Sequence, residues 1–143
     1  MKPKTLITLA ALLVMLPLFS TALQAQEQML FRVNVPFKFI AGGVHMSPGE
    51  YLAFHSTPTI IRLVREDGRA TAWIPVKPSP VASEGITNQV VFNRYGETYF
   101  LAQVKTGNDR QVHECFKCRG EQTLAAQYRA SEVKTVALNA EAK

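Results

Sequence analysis

The chain has 143 residues, of which 47% are hydrophobic, and it carries a formal net charge of +5 and two cysteines. This length suits one domain with one hydrophobic core. Its basic residues are spread along the chain without a clustered basic face or an aromatic-basic motif, so nucleic acid is not predicted as a partner.

The N-terminus has the order of a secretory signal peptide. Two lysines precede an uncharged apolar run over residues 6–19, and small and polar residues follow it. The run is shorter than the roughly 20 residues needed to span a bilayer, and a proline interrupts it. The sequence therefore predicts a signal peptide over residues 1–25, cleaved after Ala25 or Ala22. The expected product is an exported protein, periplasmic or secreted, with a single β domain over 26–143 and no transmembrane segment.

The first strand signal is an alternation of apolar and polar residues from Phe31 to Phe39. In an extended chain the two sets fall on opposite faces, so one face is expected to be buried. Pro36 cannot donate to a ladder, which predicts a sheet edge or a bulge at this point. Turns are expected at Gly42-Gly43 and at Ser47–Glu50, where Pro and Gly occupy the centre of a type II pattern.

Strand and turn signals continue through most of the chain. Asp67-Gly68 predicts a type I′ hairpin, and a second hairpin is expected to close around Tyr95-Gly96-Glu97. Residues 77–85 are rich in Pro, Ser and Gly and predict a loop. Further strands are expected at 51–55, 59–65, 70–76, 87–94, 98–105 and 133–139.

Near the C-terminus, residues 121–131 predict one short helix with a narrow apolar stripe at Leu124 and Tyr128, and the tail after residue 139 is expected to fray. The whole pattern predicts an all-β, mainly antiparallel fold, a small β-sandwich or barrel of about seven strands with one short C-terminal helix. An outer-membrane barrel is less favoured, because such barrels need at least eight spanning strands of roughly 9–11 residues.

Three blocks carry a resemblance. Val35–Phe39 (VPFKF), Met46–Tyr51 (MSPGEY) and Val91–Leu101 (VFNRYGETYFL) resemble a family of small exported bacterial, acidobacteria-type β proteins of unknown function. The resemblance implies an exported β protein and supplies no catalytic residues. Cys115 and Cys118 depart from it, because they stand where the family has a polar stretch before the helix.

The third block has a structural interpretation. Phe92 and Phe100 are expected to pack in one core layer, Tyr95 and Tyr99 to cover the end of the hairpin, and Arg94 to pair with the glutamate after the turn.

A surface-binding interpretation competes with it. In that case Arg94, Tyr95 and Tyr99 form an exposed patch that stacks on a sugar or a peptide. Trp73 is expected in the core or as a half-buried cover, with an exposed carbohydrate-stacking role as its alternative.

His113, Cys115 and Cys118 form the one cluster that could perform covalent or metal chemistry. The favoured interpretation is a local disulfide that fixes the start of the helix. A thiol-redox site is the second, because a helix N-terminus with Lys117 and Arg119 nearby would favour the Cys115 thiolate.

The third interpretation of this cluster is a zinc or copper site in which His113, Cys115 and Cys118 are joined by a fourth ligand. Candidates for that ligand are His45, His55 and Glu114. The fourth interpretation is a pair of free thiols without a chemical role.

No nucleophile elbow, phosphate-binding glycine loop or convergent acid and base is visible, so no catalytic residue is predicted. The function favoured by the sequence is therefore that of an exported cell-envelope β protein, a non-catalytic binding or structural module without a cofactor. Its expected partner is an envelope protein or a polysaccharide. The alternative is a small periplasmic thiol-redox or metal-binding protein that uses Cys115 and Cys118.

Overall fold

The computed structural model describes residues 27–80 and 85–142, so the predicted signal peptide over residues 1–25 lies outside the described residues. Ten strands account for most of this part of the chain. They are β1 (Gln28–Val35), β2 (Phe39–Ala41), β3 (Val44–Met46), β4 (Gly49–Thr57), β5 (Ile60–Arg65), β6 (Thr71–Pro80), β7 (Gln89–Tyr95), β8 (Thr98–Thr106), β9 (Gln111–Cys115) and β10 (Lys134–Asn139). One helix, α1 (Arg119–Gln127), and a single 3-10 turn (Ala130–Glu132) lie between β9 and β10.

Eight of the strands form a closed antiparallel ring. Their order is β1-β4-β5-β6-β9-β8-β7-β10. The ring is completed where Arg32 and Glu141 exchange backbone hydrogen bonds of 2.9 and 2.8 Å. The long strand β6 joins two halves of the sheet, because its first residues pair with β5 and its last residues pair with β9. The β2–β3 hairpin branches from this ring, and β2 runs parallel to β8.

The predicted all-β class is confirmed, although the strands number ten rather than about seven. The period-two pattern of β1 also holds, because Phe31 and Val33 are buried while Arg32 is exposed. Inward side chains from both halves of the ring form one core, whose largest fully buried members are Tyr51, Phe31, Phe92, Ile61, Ile74 and His113.

The predicted strand from Phe31 to Phe39 is divided in two. β1 ends at Val35, and β2 begins at Phe39 in a different part of the sheet. Pro36 lies in the gap, where its missing N–H costs no ladder bond.

The Asp67-Gly68 hairpin forms, but its predicted type I′ geometry is wrong. Among the described residues from Arg65 to Arg69, only Gly68 has a positive φ, of 72°. Its N–H donates to the Arg65 carbonyl over 2.8 Å, which closes a β-turn over residues 65–68 with the left-handed glycine at its last position.

Long-range pairing extends the sheet beyond the sequence signals. Residues 77–80 of the predicted loop belong to β6 and pair with β9, a strand that the sequence did not predict. The tail predicted to fray instead closes the ring through Glu141. No helix within residues 27–80 and 85–142 has the length and apolar character to cross a membrane.

Candidate functional site

The outer face of β4, β5 and β6 presents an exposed tryptophan in an ordered strand. Trp73 is 56% exposed, whereas its chain neighbours Ala72 and Ile74 are buried. This alternation follows from the pleat of β6, which directs successive side chains to opposite faces. The predicted core or half-buried position of Trp73 is therefore wrong, and its ring is available to a ligand.

Arg62 lies between Trp73 and a second aromatic ring. In the sheet, Arg62 on β5 is the direct cross-strand partner of both Phe54 and Trp73. Its guanidinium carbon lies 4.7 Å from the ring centre of Phe54 and 5.6 Å from that of Trp73. Both distances fall within the range of cation–π attraction. We call Phe54, Arg62 and Trp73 the aromatic–arginine row.

Glu27 and Ser56 fix the position of Arg62. The Arg62 Nε donates to Glu27 Oε1 over 3.1 Å, and Arg62 Nη2 forms an ion pair with Glu27 Oε2. Ser56 Oγ donates to the same Oε1 over 2.6 Å. The hydrogen bond from Ser56, followed by that from Arg62, lowers the pKa of Glu27. The carboxylate is thus held ionised beside the guanidinium, and Arg62 is oriented before any ligand binds.

Two further contacts shape the same face. The Phe116 N–H donates to the Pro75 carbonyl over 3.2 Å, which places the 62% exposed Phe116 one strand beyond β6. A Cβ atom at Gly42 would clash with the Trp73 carbonyl oxygen. With a φ of 56°, Gly42 lets the β2–β3 turn pack directly against the strand that carries Trp73.

Tyr95 is buried, which contradicts the alternative of an exposed surface-binding residue and agrees with the structural interpretation of the hairpin. It is 3% exposed, and its hydroxyl donates to Glu121 Oε1 over 3.2 Å. The rings of Phe100 and Tyr128 meet it edge-on, with centres 5.7 and 5.9 Å away. Tyr95 therefore links the β7–β8 hairpin to α1, because its hydroxyl donates a hydrogen bond to a residue in the first turn of the helix.

Arg94 and Tyr99 lie at the end of the same hairpin. Tyr99 stacks on Phe37 with ring centres 4.0 Å apart, and the Arg94 guanidinium carbon lies 5.3 Å from the Tyr99 ring centre. Arg94 Nη2 pairs with Glu97 over 2.9 Å, which confirms the predicted pair across the turn. We call Phe37, Arg94, Tyr95 and Tyr99 the hairpin cluster.

The prediction that Phe92 and Phe100 share one core layer is wrong. Phe92 packs inside the ring against Phe37 and Phe39. Phe100 instead contacts Tyr95 under the helix, because it pairs with Asn93 and therefore lies on the face of the sheet opposite to Phe92. The two rings consequently belong to different packing layers.

The sequence analysis missed Glu121 as an anchor of the helix. This residue is 3% exposed, and its Oε1 accepts hydrogen bonds from Asn93 Nδ2 over 3.1 Å and from Tyr95. The predicted stripe of Leu124 and Tyr128 is only half-buried by comparison. Exposed acidic residues are common in the first turn of a helix, where they interact favourably with the helix dipole. No sequence signal therefore distinguishes the buried Glu121 from such a surface glutamate.

Cys115 and Cys118 are free thiols, and the favoured disulfide is absent from the structure. Cys115 ends β9 and packs against the core, whereas Cys118 stands before the first residue of α1. Burial, together with the charge of Glu121, raises the pKa of Cys115 to about 12. The expectation that the helix start favours its thiolate is therefore wrong, because desolvation outweighs the dipole.

Two clefts are lined in part by the predicted site residues. One of about 250 Å³ lies between α1 and the sheet, and Cys115, Lys117 and Glu121 line it. A wider one of about 440 Å³ is lined by Lys38, His45 and Tyr99 at the edge of the β2–β3 hairpin.

The predicted metal set does not come together. Within residues 27–80 and 85–142, no group of three or more His, Cys, Asp or Glu side chains is placed to hold a metal ion. His113 instead turns into the core, where it is fully buried with its ring centre 5.4 Å from that of His55. Burial and the neighbouring His55 lower the pKa of His113, which keeps its imidazole neutral.

Comparisons with protein-family models, with curated proteins and with solved structures find no match for this chain. The resemblance to the exported β proteins of unknown function therefore stays a prediction.

Proposed function

We propose that this chain is an exported, non-catalytic binding module of the cell envelope, and that its aromatic–arginine row binds a polysaccharide. The exposed indole of Trp73 carries the proposal. Trp73 is left accessible on a strand whose alternate side chains build the core, although burial of a large apolar side chain normally stabilises a fold by roughly 1.5–3 kcal/mol.

The chemistry of the row suits a sugar chain. An indole face offers an apolar platform for the C–H groups of a sugar ring, while a guanidinium and a carboxylate offer donors and acceptors for its hydroxyl groups. Phe54 and Trp73 stand two strands apart, roughly 10 Å by strand spacing, and Arg62 lies between them. An extended polymer of a few sugar units can follow such a row and continue towards Phe116.

The geometry gives less support to the thiol-redox alternative. A redox-active cysteine needs an accessible thiolate, and Cys115 is a partly buried thiol whose pKa is raised to about 12. The hairpin cluster is also a weaker binding surface than the row, because Tyr95 is buried and Phe37 covers one face of Tyr99.

Because Trp73 is the sole tryptophan of the chain, its fluorescence reports directly on the row. The mature protein would be titrated with cello-oligosaccharides, chito-oligosaccharides, alginate and soluble peptidoglycan fragments. Binding by one of these polymers is expected to bury the indole and shift its emission to shorter wavelength. If none of the four alters the emission or retards the protein in affinity gels, the polysaccharide proposal fails.

Two arginine variants form a matched pair for this titration. Arg62→Ala keeps Trp73 as the reporter and is expected to weaken binding at least tenfold. Arg94→Ala removes an arginine that also lies over an aromatic ring and pairs with a glutamate, but in the hairpin cluster. It is expected to bind as the unaltered protein does, and equal weakening by both variants would contradict the row as the site.

Export is tested separately, by expressing the full chain in a Gram-negative host and measuring the intact mass of the product outside the cytoplasm. Loss of residues 1–25 or 1–22 supports the signal peptide, and a full-length product in the cytoplasm contradicts it.

A further inference from the structure

A pair of histidines inside the ring has polar atoms that lack partners. His113 is fully buried, and neither of its ring nitrogens has a hydrogen-bond partner among the described residues. The buried Nε2 of His55 is equally without a partner there. Buried polar atoms in proteins are nearly always satisfied, so three orphaned nitrogens on two adjacent rings require an explanation.

The neighbouring strands cannot satisfy His113. In the sheet its direct partners are Val104 on β8 and Pro78 on β6, and neither side chain donates or accepts a hydrogen bond. The two imidazoles are tilted by 58° rather than stacked, so the contact is not that of two rings packed face to face.

The separation of the rings matches that of two ligands on one metal ion. Imidazole nitrogens bound at about 2.0–2.1 Å around a tetrahedral Zn²⁺ would put the two ring centres about 5.2 Å apart. The observed separation is 5.4 Å.

The strand that carries His55 is irregular next to this residue. The register of β4 against β5 shifts between His55 and Thr57, and such bulges redirect side chains beside functional sites. His55 itself is only half-buried, so part of this residue reaches the surface although its Nε2 is buried.

We propose that His55 and His113 form a binding site for a divalent transition-metal ion that accepts imidazole nitrogen ligands, with Zn²⁺ as the representative. Water or an external ligand completes the coordination shell. The site differs from the set predicted from the sequence, because it keeps His113 and one candidate for the fourth ligand, His55, but omits both cysteines. It joins two strands that are distant along the chain. It is independent of the proposed polysaccharide surface on the outer face of the sheet.

The test uses the mature protein purified without a histidine tag. Isothermal titration with Zn²⁺ is expected to show one ion per chain, and the melting temperature is expected to rise by several degrees at saturating Zn²⁺ but not with Mg²⁺, which prefers oxygen ligands. Co²⁺ in place of Zn²⁺ is expected to give the intense visible absorption of a tetrahedral site. Absence of stoichiometric Zn²⁺ binding would overturn the proposal.

The three histidines of the chain provide the variants and their control. His113→Gln and His55→Gln are each expected to reduce Zn²⁺ affinity at least tenfold and to remove the Co²⁺ spectrum. His45→Gln, which alters the exposed histidine of β3, is expected to change neither. If His113→Gln fails to fold, the half-buried His55→Gln decides the question. Unchanged Zn²⁺ affinity in His55→Gln, or loss of binding in His45→Gln, would contradict the assignment.

Discussion

The aromatic–arginine row and the hairpin cluster contain the same chemical groups in different settings. Each has an arginine over an aromatic ring and a glutamate paired with that arginine. The segment around α1 covers Tyr95 in the hairpin cluster, whereas Trp73 stays 56% exposed. An aromatic–arginine pattern alone therefore does not distinguish a binding surface from a packing layer; the element that covers the strand does.

Truncation of one aromatic residue in each region should give the largest difference in stability between the two regions. Tyr95→Ala is expected to destabilise the fold by about 3–5 kcal/mol, because it empties a buried site and removes one of the two donors to Glu121. Trp73→Ala is expected to change the free energy of unfolding by no more than about 0.5 kcal/mol, as for an exposed position. Urea unfolding of both variants measures the difference, and similar losses would remove the contrast.

The face of the sheet under α1 should also protect Cys115 from alkylation. In the presence of a chelator at pH 8, iodoacetamide is expected to alkylate Cys115 at least tenfold more slowly than Cys118, because the Cys115 thiol is partly buried and its pKa is raised to about 12. Peptide mass spectrometry over a time course resolves the two sites. Rapid labelling of Cys115 would restore the thiol-redox alternative.

Alkaline pH should destabilise the contact between the hairpin cluster and α1 through the ionisation of Tyr95. Burial, followed by the charge and hydrogen bond of Glu121, raises the pKa of Tyr95 above its ordinary 10.0. Since the raised pKa favours the neutral folded form, this contribution is complete below pH 10 and is lost as the pH rises above it.

Burial also raises the pKa of Tyr51, which titrates in the same pH window. The informative quantity is therefore the difference in stability between the unaltered protein and a variant of Tyr95. Tyr95→Phe is expected to lose less stability than the unaltered protein between pH 8 and pH 10.5, in urea unfolding at each pH. Parallel curves for the two proteins would show that the ionisation of Tyr95 does not act on the fold.

The smallest effect is expected from the arginines themselves. Arg62→Ala and Arg94→Ala should each shift the melting temperature by less than about 5 °C, because exposed ion pairs contribute little to stability. Scanning calorimetry checks this. A large shift for Arg62→Ala would mean that the row is a structural element, and loss of ligand binding in that variant would then need another explanation.

The amino-acid sequence by itself determined the local elements of the described residues. The alternation in β1, the hairpins at Gly68 and Gly96 and the short helix all follow from side-chain period and turn chemistry, which act between near neighbours in the chain. The sequence also drew attention to Trp73 and His113, although it placed the first in the wrong environment and grouped the second with two cysteines, with which it forms no metal-binding set among the described residues.

The tertiary structure decided which of these residues are covered and which meet. β9 forms only because β6 and β8 flank it, and Glu121 is buried only because Tyr95 and Asn93 lie beneath α1. His55 meets His113 although they are 58 positions apart in the numbering. Such contacts depend on how distant strands align in the closed ring. Period and turn signals carry no information about that alignment, because they reach only a few residues along the chain.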